Sequence, residues 1–476
     1  MYPDIQMHIA GAWAGLDGRR GDAVLNPATG EAIGRVPLAG ADDLDRAAAA
    51  AERGFRLWRQ VPAMERYRLL RRTAAILRER VEPIARLITL EQGRPLADAR
   101  MEATIAGDVV DWFAEEARRT YGRVIPGRSP GVHQYVVKEP VGPVAAFATW
   151  NVPVNHVVRK VSAALAAGCS VVIKGSEETP ASAMETVRAY LDAGLPADVL
   201  NLVFGVPEEV SGHLIPHPAI RKVTFTGSTA VGKTLASLAG LHMKRVTMEL
   251  GGHAPAIVCE DADLDLAVRT LAMSKFRNAG QICIAPSRFL VHEAVFEPFV
   301  ERFVAQAKAL RIGNGLAEGT TMGPLANARR VAAMEEMVAD AVACGAVVRT
   351  GGRRVGNTGF FFEPTVLTGV PVEARVMNEE PFGPIAPILP FRSLDEAIGE
   401  ANRLPYGLAA YAFSRSSAAV EALSAAVESG MVSVNHHGLG PPEVPFGGVK
   451  DSGYGSEGGS EAVDAYLNTK FISRTG

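Results

Sequence analysis

Short apolar segments that are typical of buried strands alternate with amphipathic segments through the middle of the chain. Between residues 144 and 238 this alternation predicts strands at 144–149, 170–174, 199–204 and 223–226 and helices at 155–167, 181–193 and 231–238. Strand–helix alternation at this spacing implies a parallel sheet with helices on its faces. Ligands of such sheets bind beyond the carboxyl ends of the strands. The residues that follow these strands are therefore the first candidates for a site.

A second α/β stretch follows residue 249, with strands predicted at 255–258 and 289–292 and helices at 264–276 and 295–309. Before the first stretch, apolar stripes at helical spacing predict helices over 44–58, 67–81 and 96–119. Asp42 or Asp43 is the expected N-cap of the first helix, and the second is expected to end before Pro83. The whole pattern predicts an α/β protein.

Residues 121–139 have a different character, because glycine and proline interrupt them before the extended sequence HQYVVKEP. An isolated hairpin is only marginally stable in water. This segment is therefore either an arm that pairs with a partner subunit or a surface loop. Residues 465–472 are expected to form the last strand.

Length, charge and cysteine content exclude several classes of protein. The 476 residues, of which 47% are hydrophobic, are enough for two or three domains and argue against disorder. A net charge of −3 gives no basic footprint for nucleic acid or an anionic membrane. The chain shows neither a bilayer-spanning apolar run nor a signal peptide, so a cytoplasmic location is expected. The four cysteines include no CxxC pair, so we expect no disulfide framework and no metal site. An enzyme is the favoured class.

Cys283 lies in the sequence NAGQICIAPSR, between a predicted helix and a predicted strand. A thiol in such a turn can be exposed, and nearby backbone N–H groups favour its thiolate. The loop setting alone leaves two interpretations, a nucleophile or a small buried residue.

Two further residues follow predicted strands. Glu249 comes just before Leu250 and a glycine pair, which suits either a general base or a structural carboxylate. Asn151 suits either an oxyanion donor or a helix cap. The sequence FTGSTAVGK at 225–233 offers backbone N–H groups for a pyrophosphate, although the chain has neither a GxGxxG nor a Walker motif.

Taken together, the motifs of this chain resemble those of the aldehyde dehydrogenase superfamily, whose NAD(P)-dependent members oxidise aldehydes to acids. In chain order they are NPATG (26–30), WNVP (150–153), KGSE (174–177), FTGS (225–228), MELGG (248–252), GQIC (280–283), EEPFGP (379–384) and PFGGVKDSGYGSEG (445–458). The number and order of these motifs over more than 400 residues make the resemblance specific.

The resemblance implies an aldehyde dehydrogenase-like α/β fold with two parallel-sheet domains and a small oligomerisation sheet. The NAD-binding domain is expected at 1–118 and 139–248, and the catalytic domain at 249–452. Residues 119–138 and 453–476 are expected to form the oligomerisation arm and C-terminal strand of a homodimer or homotetramer.

The resemblance also assigns roles to residues. Cys283 would be the nucleophile, Glu249 the general base that hydrolyses a thioester, and Asn151 an oxyanion donor beside the Cys283 backbone N–H. Lys160 and Glu457 would complete the catalytic set, with Glu457 on a proton relay. The residues implied for cofactor binding are Trp150, Lys174, Ser176, Glu177, Gly205, Phe225, Gly227, Ser228, Glu380 and Phe382. The Glu177 charge would repel a 2′-phosphate, so NAD is the expected cofactor and NADP is possible.

Two arginines bear on the substrate. Arg159 and Arg277 match positions that grip the substrate carboxylate in succinate semialdehyde dehydrogenases, and the wider sequence resembles 2-oxoglutarate semialdehyde dehydrogenases. The expected substrate is therefore 2-oxoglutarate semialdehyde, with succinate semialdehyde second. Gly440 departs from the succinate semialdehyde pattern, which has a serine there. The alternatives are an enzyme for uncharged or aromatic aldehydes, in which the arginines hold a domain seam, and a non-catalytic protein of the same fold.

Overall fold

The computed structural model describes residues 2–475. The first part of the chain contains β1 (Met7–Ile9), β2 (Ala12–Ala14), β3 (Gly21–Leu25), β4 (Ala32–Pro37), α1 (Ala41–Trp58), α2 (Ala63–Glu79), α3 (Val81–Gln92) and α4 (Leu96–Ala117). Helix α1 begins after Gly40, whose N–H bonds the Asp43 carboxylate at 3.4 Å, so the predicted N-cap position was wrong. Helix α2 ends at Glu79, before Pro83 as expected. Pro83 lies in the first turn of the next helix, α3, where its missing N–H is tolerated.

The predicted alternation follows in residues 123–249. Its elements are β5 (Arg123–Ile125), β6 (Val132–Pro140), β7 (Val144–Phe147), α5 (Pro153–Ala167), β8 (Val171–Lys174), α6 (Pro180–Asp192), β9 (Leu200–Val203), α7 (Pro207–Leu214), β10 (Lys222–Thr226), α8 (Thr229–Leu241) and β11 (Arg245–Glu249). Strands β7 to β10 are buried along their whole length, as the continuous apolar runs predict.

The second α/β stretch begins at residue 255. Its elements are β12 (Pro255–Val258), α9 (Leu264–Phe276), β13 (Arg288–His292), α10 (Phe296–Ala309), α11 (Ala328–Ala343), β14 (Val347–Thr350), β15 (Thr365–Thr368), β16 (Ile385–Phe391), α12 (Leu394–Asn402), β17 (Tyr406–Gly407), β18 (Ala409–Phe413), α13 (Ser417–Ala426) and β19 (Met431–Val434). The tail forms β20 (Val449–Lys450), β21 (Gly453–Tyr454), α14 (Glu461–Asp464) and β22 (Leu467–Thr475).

Two large sheets organise the molecule. The first has the spatial order β2-β1-β9-β8-β7-β10-β11-β21, in which β9, β8, β7, β10 and β11 run parallel. The second has the order β14-β15-β16-β13-β12-β18-β19, and all its neighbours except β14 and β15 pair in parallel. The predicted α/β fold with two parallel sheets is confirmed.

The register of the first sheet brings distant residues to one edge. Phe147 pairs with both Lys174 and Phe225, and Thr226 pairs with Glu249. Because parallel strands share their carboxyl edge, the residues that follow β7, β8, β10 and β11 meet there. This edge faces the segment between α9 and β13, which carries Cys283 and belongs to the second α/β stretch.

Strands β22, β6 and β5 form a separate antiparallel sheet. The long pair β22–β6 runs from Leu467 opposite Pro140 to Thr475 opposite Val132. The predicted arm and the predicted last strand therefore pair with each other. Within residues 2–475, no helix combines the length and the apolar character needed to cross a membrane.

Candidate active site

Cys283 lies where two cavities meet. A cavity of about 530 Å³ is lined by Cys283, Arg159 and Arg277, among others. A second cavity, of about 370 Å³, is lined by Cys283, Asn151 and Glu249. The cysteine is half-buried, whereas Cys169 and Cys259 are buried in the cores. Its thiol can therefore meet two different molecules, one from each side.

The backbone that leads to Cys283 is strained. Asn278 and Ala279 both adopt left-handed conformations, with φ of 53° and 51°, and Gly280 follows with φ of 73°. Such values cost free energy for residues other than glycine and persist only where neighbours hold them. A Cβ on Gly280 would overlap the Gly383 carbonyl oxygen, so glycine is required there for two reasons.

Buried amides hold this turn. The Asn278 side chain donates to the carbonyls of Asn151 (3.1 Å) and Gln281 (3.2 Å) and accepts from Gln92. The Gln281 side chain donates to the Asn278 carbonyl at 3.0 Å and accepts from the Ala326 N–H at 2.9 Å. These contacts fix the position of the Cys283 loop relative to the edge of the first sheet.

The Asn151 side chain is oriented by a buried histidine. Its Nδ2 donates to the Gln281 carbonyl at 3.2 Å, and its Oδ1 lies 3.1 Å from His156 Nε2. Because an amide oxygen can only accept, His156 donates from Nε2. Burial and the nearby Lys160 and Arg159 charges hold the pKa of His156 well below its usual value, so the imidazole stays neutral. The Asn151 amide nitrogen is thus directed to the Cys283 loop.

A buried ion pair supports the Asn151 backbone. Arg94 donates to the Asn151 carbonyl at 2.5 Å and pairs with Glu102. The Glu102 carboxylate accepts the N–H groups of Val154 (2.9 Å) and Asn155 (3.3 Å), in the first turn of α5. A carboxylate at a helix N-terminus satisfies donors that have no partner inside the helix. The start of α5 is therefore anchored to α4.

Glu249 is buried at the end of β11, and its Oε1 has no hydrogen-bond partner among the described residues. Burial and the neighbouring Glu457 raise its pKa well above the usual value. Glu457 itself pairs with Lys160, whose Nζ also donates to Thr226 Oγ1 at 2.6 Å. The residues expected to form the catalytic set are thus brought together by the fold.

The Cys283 thiol is not activated by backbone groups alone. Burial and the carboxylates of Glu249 and Glu380 raise its pKa well above the usual value, and the N–H groups of Ile284 and Cys283 offset only part of this. The sequence-based expectation that backbone N–H groups favour the thiolate is correct in direction but outweighed. A neighbouring base would speed the loss of the thiol proton, and Glu249 lines the same cavity.

The smaller cavity contains Trp150, Gly227, Ser228, Glu380 and Phe382 from the set expected to bind a cofactor. Trp150 and Phe382 meet edge to face at 5.6 Å. Glu380 accepts the Gly252 N–H at 3.2 Å, and burial raises its pKa to about 7. A Cβ on Gly251 would lie 2.5 Å from Glu380 Oε2, so glycine is needed for this approach.

A second cluster lies at the end of β8. Lys174 Nζ contacts both carboxylate oxygens of Glu177, at 2.6 and 2.8 Å, and Glu177 also accepts the Gly205 N–H at 3.0 Å. Ser176 donates to Glu178 instead, at 3.3 Å. The Phe225 ring is buried against Gly227, where a side chain would collide with it.

The hydrogen-bond donors and acceptors at the carboxyl edge of the first sheet fit a dinucleotide. Helix α8 begins after Ser228 without a side-chain cap, and Ser228 lines the smaller cavity. An uncapped helix N-terminus offers N–H groups and a positive dipole end to a pyrophosphate. Carboxylates such as Glu177 and Glu380 accept hydrogen bonds from ribose hydroxyls.

The two arginines of the larger cavity differ in their contacts. Arg159 donates to the carbonyls of Glu457 (3.0 Å) and Gly440 (2.8 Å) and lies over the Phe446 ring. Among residues 2–475, Arg277 forms no ion pair and no side-chain hydrogen bond. Arg159 thus commits two of its five N–H donors to backbone carbonyls, whereas all five donors of Arg277 are free of protein partners among these residues.

Several residues of the site were not assigned a role by the sequence analysis. They are Gln92, Arg94, Glu102, Asn278, Gln281, Arg330 and His437. Arg330, for example, donates to the Phe382 carbonyl at 3.1 Å and holds the loop that carries Glu380 and Phe382. Asn278 and Gln281 stand inside the quoted NAGQIC sequence, so that motif was the available signal for them.

Comparisons with known proteins place the chain in context. The sequence profile described as the aldehyde dehydrogenase family matches residues 13–472. The 4-(hydroxymethyl)benzenesulfonate dehydrogenase of Comamonas testosteroni is 52% identical, over 99% of this chain and 98% of its own length. The 3-sulfolactaldehyde dehydrogenase of Pseudomonas putida is 45% identical, over 98% and 96%. The crystal structure of succinate-semialdehyde dehydrogenase from Burkholderia pseudomallei superposes with a TM-score of 0.97, at 42% identity and 99% and 98% coverage.

Proposed function

Because this chain belongs to the aldehyde dehydrogenase family, we propose that it oxidises aldehydes that carry an anion at the end remote from the aldehyde carbon. The product is the carboxylic acid, released by hydrolysis. The observation that carries the proposal is Arg277, a half-buried guanidinium in the cavity that ends at Cys283, which forms no hydrogen bond and no ion pair with residues 2–475. The carboxyl groups of Asp98 and Glu102 offset its charge only from a distance. A partly desolvated charge without a close partner is costly, and a substrate anion would satisfy it.

The catalytic residues act in sequence on an aldehyde in the larger cavity. Glu249 takes the Cys283 proton, and the thiolate attacks the aldehyde carbon. The resulting alkoxide accepts hydrogen bonds from Asn151 Nδ2 and the Cys283 N–H, and losing one such donor typically costs about 2.7–4 kcal/mol. Trp150, Glu380 and Phe382 line the smaller cavity and would hold NAD(P) there, where it would supply the hydride acceptor. Loss of hydride from the alkoxide carbon leaves a thioester on Cys283.

Hydrolysis of the thioester requires a base that can take a proton from water, so Glu249 must first have released the proton that it took from Cys283. The pKa of Glu249, raised by burial and by Glu457, makes its carboxylate a stronger base than an ordinary glutamate and suits it to taking a proton from water. The Glu457–Lys160 pair beside it, with the Thr226 hydroxyl, forms a buried route by which that proton leaves. A glutamate at this position favours hydrolysis over acyl transfer to coenzyme A.

The relatives support an anionic substrate without fixing the anion. Two of them are named for a benzenesulfonate and a sulfolactaldehyde, and the solved structure for succinate semialdehyde. All three names describe a compound with an acidic group apart from the reacting carbon. Within this class, 2-oxoglutarate semialdehyde and succinate semialdehyde are the carboxylate members that the sequence favours. The remaining alternative is an uncharged aldehyde, with Arg277 serving the fold.

NAD is the proposed cofactor in preference to NADP. The Glu177 carboxylate, at the end of β8, would accept from ribose hydroxyls and repel a 2′-phosphate. Lys174 neutralises part of this charge through its contacts of 2.6 and 2.8 Å. The preference is therefore expected to be moderate, and a tenfold higher kcat/KM with NADP would contradict it.

The test compares matched aldehydes. In Arg277→Met, kcat/KM for succinate semialdehyde should fall about 30- to 1000-fold, since truncating one partner of a buried charge pair costs about 2–4 kcal/mol. The value for butanal, which has the same chain length and no charge, should hardly change. Arg269→Met removes an exposed arginine of the same region as a control. Equal losses on both aldehydes would mean that Arg277 serves the fold, and the anionic substrate would be rejected.

A further inference from the structure

His437 lines the same cavity as Arg277 and is also without a partner. Its Nδ1 is buried, and neither ring nitrogen bonds any residue in 2–475. A buried polar group without a partner is unfavourable and calls for an explanation. Nothing in the catalytic sequence above uses this side chain.

The orientation of the His437 ring is fixed by packing. The ring stacks on Tyr411, with centroids 6.0 Å apart and planes inclined by 23°. Tyr411 is in turn anchored, because its hydroxyl donates to the Ile284 carbonyl at 2.8 Å. Ile284 follows Cys283, so the imidazole is tied to the loop that carries the nucleophile.

His437 is a neutral donor next to a cationic one. Burial and the Arg277 charge lower its pKa to about 4, so at neutral pH it has one N–H and no charge. The cavity is also lined by Asp98 and Glu102, whose carboxyl groups offset part of the Arg277 charge. An incoming anion can therefore accept a hydrogen bond from the neutral His437 in addition to those from the charged Arg277.

We propose that His437 and Arg277 together form a receptor for a sulfonate, and that His437 determines the preference for sulfonate over carboxylate. This rests on the proposed function, which supplies the anion. A planar guanidinium matches the two oxygens of a carboxylate with two parallel hydrogen bonds. A sulfonate is tetrahedral and has a third oxygen, which lies away from that plane and needs a donor from another direction. His437 provides it.

The experiment uses aldehydes that differ only in the anion. These are 4-formylbenzenesulfonate and 4-formylbenzoate, with benzaldehyde as the neutral reference. The wild-type enzyme should have a higher kcat/KM for the sulfonate than for the benzoate. His437→Phe keeps an aromatic ring against Tyr411 but removes the donor. It should lower kcat/KM for the sulfonate about 10- to 100-fold, mostly through KM, on the scale of a hydrogen bond to a charged group.

Three comparisons make the result specific. In His437→Phe, kcat/KM for 4-formylbenzoate should fall by less than about 3-fold and that for benzaldehyde should not change. His437→Gln, which retains an N–H donor, should recover part of the sulfonate activity. His436→Phe changes the exposed neighbouring histidine and should leave all three values unaltered.

The outcomes separate this inference from the proposed function. Equal losses on the sulfonate and the benzoate in His437→Phe, or a wild-type preference for the benzoate, overturn the sulfonate assignment. The anionic substrate still stands if Arg277→Met lowers kcat/KM for both anions and spares benzaldehyde. If Arg277→Met affects all three aldehydes alike, the proposed function fails, and the role of His437 fails with it.

Discussion

At the scale of single residues, Glu249 has the most informative titration. Its folded-state pKa is raised by burial and by Glu457, so the active carboxylate forms only as the pH rises through that raised value. Where hydrolysis limits turnover, kcat should therefore increase with pH and level off above the pKa of Glu249. Measuring kcat as a function of pH tests this increase.

Glu249→Gln cannot take a proton from water. The variant should still release a first equivalent of reduced cofactor, provided that Cys283 loses its proton by a slower route, and should then turn over at least about 100-fold more slowly, within the usual range for a general base. Cys283→Ser is the control, and it should lose both the burst and the turnover while still binding cofactor. If Glu249→Gln turned over normally and the increase of kcat with pH were unchanged, a residue other than Glu249 would be the base.

At the scale of elements, the strained turn before Cys283 fixes the position of the thiol, and the free energy of the surrounding packing holds that strain. Gly280→Ala adds a Cβ that would overlap the Gly383 carbonyl, and it puts alanine at φ of 73°. We expect a loss of about 1–3 kcal/mol in stability from backbone strain, and a fall in kcat because the thiol moves. Thermal unfolding and kcat measure the two effects.

Gly212→Ala is the matched control for this change. Gly212 lies in α7, is exposed, and an added Cβ would meet nothing within 4 Å. In a helix this substitution should raise stability by up to about 1 kcal/mol and leave kcat unchanged. If Gly280→Ala behaved like Gly212→Ala, the turn would not constrain the thiol.

The same elements show which parts of the site the sequence could predict. Strand ends locate Asn151, Lys174 and Glu249, because parallel strands place their carboxyl ends together whatever else the chain does. The supports of the Cys283 loop that come from other parts of the chain depend on long-range packing and leave no local pattern. Gln92 ends α3 and Arg94 follows it, and α3 was missed because Pro83 was interpreted as a helix end rather than a first-turn proline.

His437 and Arg277 show that the sequence is equally limited in predicting substrate specificity. Arg277 could be chosen from its spacing to Cys283 in the motif, but its lack of a partner is a property of three dimensions. The contacts of Arg159 with two backbone carbonyls are equally invisible in the sequence. Residue type indicates which chemistry is available, and only packing shows which donors remain free.

At the scale of the whole molecule, the β22–β6–β5 sheet presents an apolar row. Val124, Tyr135 and Ile472 stand opposite one another across its strands, and Val124 is 86% exposed. A small antiparallel sheet is marginal without a cover for its apolar face. A second copy of the chain, as expected for the arm, would provide that cover in a homodimer or homotetramer.

Val124→Arg tests this assembly. A charge in the centre of a desolvated apolar interface has no partner and is strongly unfavourable, so the mass measured by light scattering should fall to that of a smaller assembly. Leu57→Arg is the control, since Leu57 is 61% exposed on α1, away from this sheet. It should leave the mass unchanged. A stable interface buries about 1,200–2,000 Å² and does not tolerate an unpaired arginine at its centre. If the mass of Val124→Arg were unaltered, Val124 would therefore lie outside the subunit interface, and the interface would have to be sought elsewhere.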